Sequence, residues 1–137
     1  MPYETFEHTA DLGLRVRAAD LDALFADAAR GLFSLVVANL DAVRPLEKVE
    51  FEIAADALDL LLFDWLGELL YTFEVRQLLL AHFDVHVSDH RLRATAAGEP
   101  IDRGRHILDH EVKAITYHGL KVVHNVDGWL AEVIVDV

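Results

Sequence analysis

The chain has 137 residues, 53% hydrophobic and 26% charged, a composition that suits one folded, soluble domain and excludes a disordered chain. It has no cysteine, which rules out disulfides, thiolate metal sites and cysteine nucleophiles. The net charge of −12 disfavours sequence-independent binding to phosphate backbones. The charge is uneven: residues 1–75 hold 15 acids and 5 bases, residues 76–137 hold 9 and 7, so a basic partner surface would be drawn toward the first half. Met1-Pro2-Tyr3-Glu4 has neither a basic n-region nor an apolar h-region, and the apolar run Leu58–Phe73 is interrupted by Asp59, Asp64 and Glu68. A cytoplasmic protein is expected.

In chain order, Tyr3–His8 reads as extended and is joined through Thr9-Ala10-Asp11 to a half-buried strand. There Leu12, Leu14, Val16 and Ala18 alternate with Gly13, Arg15 and Arg17. Asp20 is placed to cap a helix with the apolar stripe Leu21, Leu24, Phe25, Ala28, Leu32 and Phe33. Val49, Phe51 and Ile53 mark another strand. Asp56 is the expected cap of a second helix, apolar on most of its girth, that runs to about Glu74 and lies across the middle of the fold. Phe83, Val85 and Val87 alternate next, followed by a turn at Ser88-Asp89 and a strand through Leu92, Ala94 and Ala96. Gly98-Glu99-Pro100 is expected to break the chain.

Glu111–His118 reads as a strand with Val112, Ala114, Thr116 and His118 on one side, and Glu111 and Lys113 near neighbours on the other. A side that starts apolar and ends in a hydroxyl and an imidazole suits either the wall of a site or a satisfied polar cluster at a sheet edge. Leu120–His124 is a further strand, and Asp127-Gly128 a hairpin turn. Trp129–Val137 is apolar on both sides, as a central strand must be. Two helices and several strands without strict alternation predict an α+β single domain, an antiparallel or mixed sheet packed with two main helices.

Asp11 and Asp136, with the carboxylate of Val137, form a set of hard oxygen donors that suits Ca²⁺ or Mg²⁺ and suits Zn²⁺ only if His8 joins it. The alternatives are a turn residue bonding its own backbone for Asp11 and a solvated strand end for Asp136. His82, His86 and His90 are spaced by four within a strand-like segment and read as solvated imidazoles. His106 and His110 flank a loop. His118 is either a site residue or a histidine satisfied by a carbonyl. Asp64 and Glu68, one helical turn apart, read as the wet strip of a buried helix. There is no phosphate-binding glycine loop, nucleophile elbow or HExxH metal motif.

His8-Thr9-Ala10-Asp11, Trp65-Leu66-Gly67-Glu68-Leu69-Leu70-Tyr71, Gly98-Glu99-Pro100, His106, Glu111–His118, Trp129 and the ending Val133-Ile134-Val135-Asp136-Val137 together resemble the archease family, in order and over nearly the whole chain. The resemblance implies a small α+β protein cofactor of the RtcB-type, GTP-dependent RNA ligase. It would promote guanylylation and multiple turnover of that ligase in tRNA splicing and RNA repair, and would not be an enzyme itself. It also implies a bound Ca²⁺ held by Asp11, Asp136 and Val137, where the Asp-Val ending replaces the commoner Asp-Ile. His8, Glu111, Lys113, Thr116 and His118 become positions near the metal or against the partner. Two other functions are weighed beside it: a stand-alone metal-dependent hydrolase using Asp11 and Asp136, and a chaperone-like binding module.

Overall fold

In the computed structural model, which describes residues 2–8 and 11–137 and only the backbone of Glu7 and His8, alternation turns into faces. Leu14 and Val16 are buried, while Arg15 and Arg17 lie on the outer side. Thr9, Ala10 and the His8 side chain lie outside the described residues. The described elements run β1 (Tyr3–His8), β2 (Asp11–Ala18), α1 (Leu21–Val36), a 3-10 turn (Leu40–Ala42), β3 (Glu47–Ala54), α2 (Leu58–Arg76), β4 (Leu78–Ser88), β5 (Arg91–Pro100), β6 (Ala114–Ile115), β7 (Lys121–Asn125) and β8 (Gly128–Asp136).

The strands form two antiparallel sheets. One has the order β1-β2-β8, with β6 and β7 sharing the far edge of β8. The other is β3-β5-β4. As its two-sided apolar sequence requires, β8 is central. The fold is the expected α+β domain, with its strands divided between two sheets. No described helix is long and apolar enough to cross a membrane.

Asp20 caps α1 as predicted, its Oδ1 accepting from the Ala23 amide at 2.8 Å. The helix packs on β2 and β4; a Cβ on Gly31 would meet the Leu14 side chain at 2.5 Å, so that glycine lets the helix sit close to the sheet. In α2, Trp65 is fully buried, donates from Nε1 to the Phe25 carbonyl at 3.0 Å and meets Phe51 and Phe83 edge-on. One apolar core therefore joins both helices to both sheets.

Four expectations need correction. Ala57, not Asp56, is the N-cap of α2; it offers no side-chain cap, and the helix continues to Arg76 before Gln77 turns left-handed at φ 52°. The β4–β5 turn centres on Asp89 and His90, both with positive φ, one residue beyond the expected Ser88-Asp89. Gly98-Glu99-Pro100 does not break the chain but completes β5. The glycine lies opposite the irregularity between Leu80 and His82, where a Cβ would fall 1.7 Å from the Leu79 carbonyl oxygen.

The fourth concerns Glu111–His118, where only Ala114–Ile115 is strand. The Lys113 amide donates to the Asp136 carbonyl and the Thr116 amide to the Ile134 carbonyl. Three residues on one side thus span two on the other, an inserted residue that upsets the alternation. Val112 and Ile115 are buried, and Ala114 is exposed. The pairing stays short because β7 occupies the rest of that edge, from Lys121 opposite Glu132 onward.

Candidate functional site

The outer face of the larger sheet is organised in rungs, because residues opposite each other in register project to the same side. One rung runs Glu4–Arg15–Glu132–Lys121 and alternates in sign. Arg15 bonds Glu4 at 3.2 Å and Glu132 at 2.5 Å, and Lys121 lies 3.6 Å from Glu132. Burial works to raise the Glu132 pKa, but Arg15 and Lys121 outweigh it and hold the carboxyl below the ordinary glutamate value. The next rung is apolar: Phe6, Gly13 and Ile134. Gly13 leaves room there for the Phe6 ring, which lies 2.1 Å from where a Cβ would stand and carries the Arg15 guanidinium over it at 4.7 Å.

The last rung is His8–Asp11–Asp136–Ala114. It puts two carboxylates directly opposite each other, with Cβ atoms about 4.5–5.5 Å apart in such a pair. Asp11 is half-buried and Asp136 exposed. Among the described residues no basic side chain pairs with either acid, although every charge on the first rung has an opposite neighbour. No group of three or more His, Asp or Glu side chains gathers among the described residues. Among the described side chains, a cation here would meet the two carboxylates, to which the expected ligand set adds the carboxylate of Val137. All are hard oxygen donors, a set that fits Ca²⁺ or Mg²⁺.

The four accompanying residues whose side chains are described are dispersed. Lys113 holds the Asp136 carbonyl by its amide at 2.7 Å, with its side chain outward. Thr116 uses its hydroxyl on the Ile134 carbonyl at 2.8 Å and also meets the His118 amide at 3.3 Å. Glu111 and Lys113 line a separate cleft of about 550 Å³ with Phe73, Gln77 and Arg103. His118 is exposed. The His8 backbone pairs with Asp11, which brings that residue to the acidic rung. His86 lies exposed between Asp22 and Asp84, and Asp64 and Glu68 face solvent on α2, as expected.

Sequence reasoning missed a buried ionic cluster. Glu99 accepts from Arg105 at 2.7 Å, from the Arg44 guanidinium at 2.9 Å and amide at 2.7 Å, and from His106 Nε2 at 3.2 Å. The Asp102 amide donates to His106 Nδ1, so the network assigns the ring proton to Nε2. Burial alone would raise the Glu99 pKa, but Arg105, Arg44 and His106 drive it well below the carboxylate range. The cluster fastens the chain after the 3-10 turn and the 101–106 loop to the end of β5. Its signal was an acid closing an alternating strand, followed closely by Arg103, Arg105 and His106.

The profile of the archease protein family matches residues 3–137. The chain is 42% identical over 140 residues to the archease of Methanopyrus kandleri, covering 99% of each protein. It is 36% identical to that of Pyrococcus abyssi, covering 98% of each. The fold superimposes on the solution structure of protein 1598 from Methanobacterium thermoautotrophicum with a TM-score of 0.87, at 33% identity and 99% coverage of both chains. A Thermotoga maritima crystal structure, described as an archease and possible chaperone, matches with a TM-score of 0.69 at 18% identity, a likeness of fold alone.

Proposed function

The chain belongs to the archease family, and from that premise we propose that it is a non-catalytic accessory protein of an RtcB-type RNA ligase. In this reading it acts in the cytoplasm, promoting guanylylation and repeated turnover of the ligase in tRNA splicing and RNA repair. Asp11, Asp136 and the Val137 carboxylate hold a divalent cation, Ca²⁺ by preference. One observation carries the metal: the Asp11–Asp136 rung opposes two like charges on a face where the neighbouring charged rung alternates in sign. Like charges directly opposite destabilise a sheet, and a cation reverses that sign. When bound, it supplies positive charge and coordination positions for oxygen.

Around it, the chain's own groups act by position. The Lys113 amide and the Thr116 hydroxyl and amide fix the backbone of β8 on one side of the rung. The β2 ladder fixes the other side. A net charge of −12 favours encounter with an enzyme that must expose basic surface to hold RNA. The test is a titration into purified ligase. Multiple-turnover ligation should rise while the protein alone neither joins RNA nor hydrolyses GTP; an unchanged rate across the titration overturns the reading. Intrinsic hydrolysis lost on Asp11→Ala would instead favour a metal-dependent hydrolase. Suppression of aggregation of unrelated clients, unaffected by Asp136→Asn, would favour a chaperone-like module.

A further inference from the structure

Helix α2 carries a face that the described chain leaves largely uncovered. Leu60, Phe63, Asp64, Gly67, Glu68, Tyr71, Glu74 and Val75 fall within about 140° of the helix circumference and extend along about 22 Å. Leu60, Tyr71 and Val75 are 39%, 63% and 61% exposed, and Tyr117, 64% exposed, stacks on Phe63 at 3.9 Å. Near the middle of this face is Gly67. Glycine in a helix interior destabilises relative to alanine, and Gly31 in α1 is explained by the Leu14 side chain packed against it. Gly67 has no such explanation: apart from its chain neighbours and the backbone of its own helix turn, no described atom lies within 4 Å of where its Cβ would stand. Among the described residues nothing fills the place of that missing side chain, which leaves room for a group from a partner.

We infer that this face of α2, notched at Gly67 and edged by the Phe63–Tyr117 stack, is the docking surface for a protein partner whose own surface sets basic side chains around an apolar centre. Exposed aromatic and aliphatic side chains gathered on one face suit a protein interface. The charge identifies the partner's sign: α2 carries Asp59, Asp64, Glu68 and Glu74 against one base, Arg76, at its last residue. A phosphate backbone would be repelled. A second copy of this chain would bring Asp64, Glu68 and Glu74 against acids of the same face, so the occupant is not itself.

This rests on the accessory-protein reading and assigns the surface that reading lacks. The test compares wild type, Gly67→Ala and Gly67→Leu for binding to the purified ligase, with melting temperature and Ca²⁺ binding measured beside it. Filling the notch should weaken ligase binding about tenfold or more for leucine and less for alanine. Melting temperatures should stay equal or rise, and Ca²⁺ affinity should not change. Wild-type binding should also weaken as salt rises. Equal binding by Gly67→Leu, with ligation still stimulated, overturns the inference and leaves the accessory reading intact. Wild type that neither binds nor stimulates the ligase removes both. A wild-type dimer that Gly67→Leu dissociates gives the face to a second copy and overturns the inference too.

Discussion

Asp11 and Asp136 face each other at the end of the β2–β8 ladder, two rungs from the point where Arg15 bonds both Glu4 and Glu132. The same sheet face thus contains one charged rung neutralised by protein and one that no described side chain neutralises. In the absence of divalent ions, Asp136→Asn removes the like-charge opposition and should stabilise the fold by about 0.2–1 kcal/mol at low salt. With Ca²⁺ at a hundredfold excess over Kd, wild type should gain about 2.7 kcal/mol and the variant little. Melts in chelator and in Ca²⁺ should therefore reverse the order of the two proteins. An order unchanged by Ca²⁺ would remove Asp136 from the ligand set.

Val137 is tested by lengthening the chain. One added residue carries the terminal carboxylate on by about 3.3 Å if the strand continues. Losing one hard oxygen ligand should weaken Ca²⁺ binding by about tenfold or more. The melt in chelator should stay where it was, because Val135 and the other core-facing residues of β8 are untouched. Calorimetric titration that gives equal affinity for both lengths would show that Val137 does not contribute.

Glu99 sets a pH dependence. Its folded pKa is depressed, so its contribution is full above the ordinary glutamate value of 4.5 and is lost as pH falls from there toward the folded value. Glu99→Gln keeps the shape but leaves Arg105 and Arg44 facing a neutral amide. Both arginines keep some contact with solvent, so the loss at pH 7 should fall at the lower end for a broken buried pair, about 3 kcal/mol. Urea unfolding at pH 7 and pH 3.5, with the gap between the proteins narrower in acid, checks the sign. A gap that widened in acid would contradict it.

How far the fold could be read depended on whether a residue's fate was local. The alternation at Leu14 and Val16, the stripe from Leu24 to Phe33 and the two-sided apolar run of β8 each record burial directly, and each was legible. The opposition of Asp11 and Asp136 was legible only as an expectation that the chain's two ends meet, because register is set by a pairing 125 positions apart in sequence (136 minus 11). Two features were hidden. The three-against-two step at Lys113 and Thr116 depends on how β7 shares an edge with β6. Glu99 resembles any surface acid until Arg44, 55 residues away, folds over it.

Two glycines whose sequence settings look alike should answer alanine with opposite signs. At Gly98 a Cβ would fall 1.7 Å from the Leu79 carbonyl oxygen, and main chain held in the β4–β5 ladder cannot yield as a side-chain tip does. Gly98→Ala should cost about 3 kcal/mol or more, the range of overpacked or strained core sites. At Gly67 the new methyl enters open space within a regular helix. Gly67→Ala should therefore stabilise by about 0.5–1 kcal/mol. Denaturant midpoints of the two variants against wild type decide the matter. A destabilised Gly67→Ala would mean that the notch is used within the chain itself, and the case for a partner there would lose its main support.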